Sequence, residues 1–473
     1  MSDEIAFASA SRLLALYRAG QLSPVEVIQA ILARIERLNP RINAYCLVDE
    51  KAALAQAKAS EARWRAGAPC GPLDGVPASI KDLILTRGWP TLRGSRTVER
   101  DQPWMEDAPA TARLRESGAV LLGKTTTPEF GWKGVTDSAL TGITRNPWNQ
   151  ERTPGGSSGG ASAQVAAGLG ALAVGTDGGG SIRIPAAFTG IVGLKPSFGR
   201  VPAWPASPMS TLAHLGPMTR TVHDAALILN VLARPDVRDW YALPYDGTDW
   251  TAGLDAGVRG LRIAFSATLG YAKVDGEVGA SVAAAAHVFA TELGADVEAA
   301  DPGFADPAGI FWTLWTAGAF KGLGGLAPEK FALLEPRLAD CIAAGGRLSL
   351  KDNFDAIEAR VALGVRMRQF HERYDLLLTP TVAVPAFKVG ELAPGVPNNA
   401  APEPQGWTDW TPFSFPFNLT QQPAITLPCG FTRDGLPIGL QIVGPMHRED
   451  LVLRAARAFE VARPWADRRP DLG

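Results

Sequence analysis

The stretch from Gly155-Gly156-Ser157-Ser158-Gly159-Gly160 to Gly178-Gly179-Gly180-Ser181 holds ten glycines in the 26 residues between Gly155 and Gly180. That is nearly four times the average of a chain with 50 glycines in 473 residues. Glycine has no Cβ, so it enters backbone conformations closed to other residues. It also lets main-chain N–H groups converge on one point, which is what a developing oxyanion requires. Between the two clusters, residues 161–167 have the composition of a helix and residues 171–174 read as a buried strand. A short helix is expected after Ser181 and another strand over 191–194.

The same alternation continues in both directions. Ser23-Pro24-Val25-Glu26 is a helix start, with Ser as cap, Pro in the first turn and Glu closing a capping box. Ile28, Ile31, Leu32 and Ile35 then share one face, and Asn39-Pro40 is expected to stop that helix. A helix over 51–65 and a strand over 76–84 follow, with Lys81 near the strand's end. A helix over 111–116 and a strand over 119–123 come next. Downstream, helices are expected over 221–233, 278–293 and 354–374, and strands over 261–265, 296–298, 376–378, 424–428 and 438–443. His223 and His287 fall inside two of these helices and read as ordinary helix residues.

Residues 303–350 have no clean period, although Phe304, Phe311, Trp312, Trp315 and Phe320 cluster there. The Pro- and Gly-rich stretch 380–407 reads as a surface excursion. Strands alternating with helices predict an α/β fold: a single large domain over 1–473, with a mixed, mostly parallel sheet covered by helices on both faces.

Charge and composition exclude several functions. The formal net charge is -2, with no block of like charge, which argues against nucleic-acid binding driven by bulk charge. Met1-Ser2-Asp3-Glu4 is acidic and does not read as a secretory signal. No uninterrupted apolar run of about 18 residues is present, so no membrane span is expected. Cys46, Cys70, Cys341 and Cys429 are far apart and fit neither a zinc site nor a disulfide framework. A cytoplasmic protein with reduced thiols is the simplest reading.

The glycine-rich segment admits three readings. A phosphate-cradling loop would need a Gly-Lys-Ser/Thr ending, which is absent. Gly155-Gly156-Ser157-Ser158-Gly159 formally matches the Gly-x-Ser-x-Gly nucleophile elbow. That elbow needs a strand directly before it and a partner histidine after it. Residues 146–154 read as loop, and none of His214, His223, His287, His371 and His447 lies in a recognisable motif.

In the third reading the chain resembles the amidase signature family. Residues 155–185, ending Gly175-Thr176-Asp177-Gly178-Gly179-Gly180-Ser181-Ile182-Arg183-Ile184-Pro185, are similar to that family's signature. Gly71-Pro72-Leu73-Asp74-Gly75-Val76-Pro77-Ala78-Ser79-Ile80-Lys81-Asp82 is similar to its lysine motif. Lys81 precedes Ser157 by 76 residues, and Ser157 precedes Ser181 by 24, which also agrees. Gly193-Leu194-Lys195-Pro196-Ser197, Gly216-Pro217-Met218-Thr219-Arg220 and Pro437-Ile438-Gly439-Leu440-Gln441 resemble further blocks. A signature core over about 71–220 and a variable substrate-pocket region over about 303–350 are expected.

The resemblance implies an amidase that cleaves a carboxylic amide C–N bond without metal or cofactor. Ser181 would form the acyl-enzyme, and Ser157, following a cis peptide bond after Gly156, would bridge to Lys81 as general base. Lys81 must then be neutral, so burial should lower its pKa to about 7–8 from about 10.4. Backbone N–H groups of Gly178, Gly179, Gly180 and Ser181 would hold the oxyanion. Ser158, Thr176, Asp177 and Arg183 read as supporting residues. The aromatic segments 304–320 and 407–417 either line an acyl or aryl pocket or are simply core. The expected partner is a small aryl or aliphatic amide, with ester or carbamate activity allowed, and with neither nucleic acid nor membrane involved. A homodimer is compatible with this reading. The rivals are a glutamine-hydrolysing subunit of a tRNA-dependent amidotransferase and a non-catalytic ligand-binding relative.

Overall fold

A computed structural model describes residues 2–398 and 406–473. Its framework is an eleven-stranded sheet. The strands in chain order are β1 (Tyr45–Val48), β2 (Pro77–Lys81), β3 (Val120–Thr125), β4 (Leu172–Asp177), β5 (Val192–Lys195) and β6 (His214–Thr219). They continue as β7 (Arg262–Phe265), β8 (Asp296–Ala299), β9 (Leu376–Pro380), β10 (Ala424–Phe431) and β11 (Pro437–Val443). In space they run β1-β3-β2-β4-β6-β5-β10-β11-β9-β7-β8. The mixed sheet expected from the sequence is present, with its parallel pairings in two blocks. These are β3-β2-β4 on one side and β9-β7-β8 on the other. The centre between them pairs antiparallel.

Every residue of β2 and β3 is buried, which is why both read as continuous runs rather than alternating ones. The period of two reappears in which core each residue joins. On β4, Ala173 packs with Ala161, Val165, Ile182 and Ala186. Its neighbours Leu172 and Val174 join the large core that also holds Val222, Ile228, Val282, Phe289, Val452 and Phe459. Helices α1 (Gly159–Ala166) and α2 (Arg183–Thr189) contribute to the smaller cluster.

Several elements differ from the sequence reading for physical reasons. The helix Pro24–Ile42 has the expected Ser23–Glu26 capping box but runs past Pro40. Pro40 sits in its last turn, and the helix ends instead at Asn43, whose φ of 50° is left-handed. Strand β6 was hidden by Gly216 and Pro217, yet it pairs with both β4 and β5. The unreadable region holds helix α3 (Ala308–Leu323) and the helices Pro328–Phe331 and Pro336–Gly346. Phe311, Trp312, Trp315, Thr316 and Ala319 form the buried face of α3, but its outward face carries Leu314, Ala317 and the exposed Phe320, so no polar stripe marks its period. The long helix starts at Leu350 and ends at Arg373.

The stretch 380–407 is not a surface excursion over its described part. Val382, Ala386, Phe387 and Leu392 are buried in an aromatic cluster with Trp410 and Phe415. Its backbone is tied in by Thr381 N–H to Gly439 O at 3.1 Å and Ala383 N–H to Trp410 O at 3.0 Å. Residues 399–405 lie outside the described residues. Among the described residues no helix is long and apolar enough to cross a membrane, and all four cysteines are unpaired.

Candidate active site

Ser181 lies on the turn that links β4 to α2. The turn is shaped by the last residue of the strand. The Asp177 carboxylate accepts the Gly180 N–H at 2.8 Å and the Ile182 N–H at 3.1 Å. It also takes the Arg183 guanidinium through Nε and Nη2, both at 3.0 Å. Burial opposes the Asp177 charge, but Arg183 overrides it and holds the carboxyl far below the usual carboxylate range. Arg183 is itself fully buried and reaches Gln441 Oε1 at 2.7 Å and Asn418 Oδ1 at 2.6 Å. Asn418 closes the network by donating to the Asp177 backbone oxygen at 2.9 Å. A buried ion pair is tolerable only when its remaining hydrogen-bonding capacity is filled in this way. Gly180 adopts φ +127°, and a Cβ there would stand 2.4 Å from Ser414 Oγ, so the turn cannot carry another residue at that position.

Of the N–H groups expected to face an oxyanion, that of Gly180 is the one engaged in this structure, at Asp177. The N–H groups of Gly178, Gly179 and Ser181 donate to nothing among the described residues and remain open. Ser414 Oγ fixes the same turn from behind by donating to Gly179 O at 2.8 Å.

Lys81 ends β2, which lies beside β4 in the sheet, so its side chain meets the serine loop directly. It is fully buried. Its Nζ lies 2.7 Å from Ser157 Oγ, 2.9 Å from Ser158 Oγ and 2.8 Å from Thr176 Oγ1. No carboxylate comes within ion-pair distance among the described residues. Burial therefore lowers its pKa well below the ordinary lysine value, opposed only by the more distant Asp177 charge. Ser158 has its own hydroxyl proton engaged at Thr176 O, 3.1 Å away, so towards Lys81 it can only accept. Ser157 follows a cis peptide bond after Gly156. Gly131, whose Cβ would sit 3.1 Å from Ser157 Oγ, makes room for that hydroxyl.

Ser157, Thr176, Gly178 and Ser181 open onto one cavity of ≈ 240 Å³. Ser181 is 7% exposed, and its Oγ makes no hydrogen bond among the described residues. The remaining wall is largely apolar: Leu83, Ile84, Phe130, Trp132, Trp315 and Leu338 line it. Of the two aromatic segments, 304–320 supplies Trp315, Gly318 and Ala319 to the wall. Phe311 and Trp407 stand behind it, where a Cβ on Gly179 would meet them at 2.7 and 2.9 Å. The aromatic segments are thus part wall and part core.

Lys81, Ser157, Ser158, Thr176, Asp177, Gly178, Gly179, Gly180, Ser181 and Arg183 are all brought together. The sequence reading missed Ser414, Asn418, the site role of Gln441, and the wall formed by residues 203–215. Asn418 and Ser414 come from a region without periodicity, so only distance in space reveals them. Among the described residues no group of three or more His, Cys, Asp and Glu side chains is placed to hold a metal ion.

A family model described as Amidase matches residues 26–453. An acylamidase of Rhodococcus erythropolis is 40% identical over 465 residues, covering 98% of this chain and 97% of that protein. A glutamyl-tRNA(Gln) amidotransferase subunit of Myxococcus xanthus is 38% identical over 475 residues, covering 95% of this chain and 96% of that protein. Among solved structures, a bacterial aryl acylamidase superposes with a TM-score of 0.89 at 34% identity, covering 97% of each chain. A 6-aminohexanoate cyclic dimer hydrolase complexed with substrate superposes with a TM-score of 0.90 at 31% identity, covering 98% of this chain and 99% of that one.

Proposed function

We propose, from the premise that this chain belongs to the amidase signature family and hydrolyses amide C–N bonds, that Ser181 is its acyl-forming nucleophile, with Lys81 as the base acting through Ser157. The observation that carries this is the set of three hydroxyls around Lys81 Nζ with no carboxylate beside it. A neutral amine has two protons to give and one lone pair. Ser158 can only accept and Thr176 is free to, so the lone pair faces Ser157. That is the arrangement a base needs.

In the acylation step Lys81 takes the Ser157 proton while Ser157 takes the Ser181 proton. Ser181 Oγ bonds to the amide carbon, and the carbonyl oxygen gathers charge against the Gly178, Gly179 and Ser181 N–H groups. The C–N bond then breaks as the nitrogen takes the proton back through Ser157. Water attacks the acyl-enzyme by the same route in reverse, releasing the acid and restoring Ser181. The Ser157–Ser181 link is not made in the resting structure, and catalytic hydrogen bonds often tighten only in the substrate complex.

The apolar wall with Trp132 and Trp315 favours small aryl or aliphatic acyl amides over glutamine. A fluorophosphonate probe tests the nucleophile: it should label the wild-type chain and not Ser181→Ala. Equal labelling of both would remove Ser181 from the mechanism. Comparing anilides with glutamine on the isolated chain tests the substrate class, and a preference for glutamine would reverse it.

A further inference from the structure

The cavity wall carries one charged side chain that the reaction above does not use. Arg93 lines the same cavity as Ser157 and Ser181. It is the sole Asp, Glu, Lys or Arg among the lining residues, and the lining His214 is kept neutral by burial. Its guanidinium makes no hydrogen bond and no ion pair among the described residues. Half-buried in a largely apolar wall, a guanidinium with five donors has strong unspent binding capacity.

The backbone also marks this position. Arg93 has φ +58°, a left-handed conformation uncommon for a residue that is not glycine. The turn that imposes it is held on both sides. Asp82 accepts the Leu92 N–H at 3.2 Å and the Gly94 N–H at 3.4 Å. The Phe130 N–H donates to Arg93 O at 2.8 Å. The Asp82 charge reaches the guanidinium, but its carboxylate makes no ion pair with it and is turned to this backbone and to Lys124 Nζ at 3.8 Å.

The position of the turn indicates which half of a substrate Arg93 meets. Phe130 precedes Gly131, the residue that abuts Ser157 Oγ. Ser157 hands the proton to the leaving nitrogen, whereas the oxyanion donors lie on the turn from Gly178 to Ser181. Arg93 is therefore anchored on the leaving-group side of the cavity. We infer that Arg93 binds a carboxylate carried on the amine half of the amide substrate, making the preferred substrates N-acylated amino acids or aminobenzoates. This rests on the amidase reading above.

The test is binding to the full chain carrying Ser181→Ala, which leaves substrates uncleaved. Calorimetry would compare 4-acetamidobenzoate, with the carboxylate on the amine half, against neutral acetanilide and against succinanilate, with the carboxylate on the acyl half. The Ser181→Ala chain should prefer 4-acetamidobenzoate, and adding Arg93→Gln should cut its preference over acetanilide by about tenfold or more. Arg93→Lys, which keeps the charge and loses the planar fork, should retain part of the preference and keeps the test usable if Arg93→Gln misfolds. An unchanged preference in Arg93→Gln, or a loss confined to succinanilate, would overturn the assignment. Because this readout is binding, it is separable from the failure of Ser181 to react with a fluorophosphonate.

Discussion

Lys81 ends β2 among the hydroxyls of Ser157, Ser158 and Thr176. Lys133, which follows the cavity-lining Trp132, lies between Asp137 at 2.7 Å and Glu335 at 2.6 Å. Both side-chain nitrogens are shut off from solvent. Burial pushes both pKa values down, but the two carboxylates beside Lys133 more than reverse this and raise it above the ordinary value. Lys81 has no such partner and falls well below. At Lys124 burial also dominates and lowers the pKa to about 8, with Asp82 opposing at 3.8 Å. The series shows that burial sets the cost of the charge and the neighbours decide whether the residue keeps it. Withholding carboxylates leaves a buried lysine neutral, as the proposed base must be, and supplying them makes it a charged strut.

The contrast is open to attack in three ways, the largest effect first. Lys81→Met should lower kcat/KM at neutral pH by about 10³- to 10⁴-fold, the range for losing a general base within a triad. It should not unfold the chain. Because the folded pKa of Lys81 is depressed, wild type loses stability as pH falls from about 10.5 towards that pKa, where the unfolded chain binds a proton and the folded chain does not. Urea midpoints should therefore shift in favour of Lys81→Met as pH drops through this window. A large drop in stability with little loss of activity would erase the difference between the two lysines.

Lys133→Met should behave in the opposite way. It leaves Asp137 and Glu335 without their shared cation, and breaking a buried pair costs about 3–5 kcal/mol. The loss should be constant from neutral pH up to about 10, since a raised lysine pKa contributes stability that fades as pH rises through it. Activity per folded molecule, normalised by fluorophosphonate titration, should stay near wild type. Ser158→Ala is the mildest variant. It removes one acceptor from Lys81 and should cost roughly tenfold in kcat/KM, the equivalent of about 1.4 kcal/mol for one hydrogen bond. No change would mean that Ser158 does not orient the base.

Much of this was legible in the chain. Ser157 and Ser181 stood out because each sits in a glycine run, and Lys81 because residues 71–82 resemble the amidase signature lysine motif and precede Ser157 by the matching 76 residues. The α/β alternation was legible wherever strands were short and apolar and helices had a polar face. It failed at α3, whose outward face carries Leu314, Ala317 and the exposed Phe320 in place of polar residues, and at β6, where Gly216 and Pro217 disguise a strand paired on both edges. Pro40 misled because a proline in the last turn forfeits only its own bond to the carbonyl four residues back, and the helix still closes with the Asn43 N–H on Asn39 O. Arg183 and Asp177 were readable as supports, but their partners Asn418 and Gln441 lie 235 and 258 residues beyond Arg183. The commitment of the Gly180 N–H to Asp177 was also invisible, because a run of three glycines does not reveal which of its donors is spent.

The central claim is that a neutral Lys81 drives Ser181 through Ser157. The most direct measurement is the pH dependence of Ser181 acylation by a fluorophosphonate, in wild type and in Lys81→Met. Wild type should show a single limb, with the rate falling as pH drops through a pKa well below 10.5, and Lys81→Met should react slowly with that limb gone. An identical limb in both proteins would show that some other group is the base and would contradict the account.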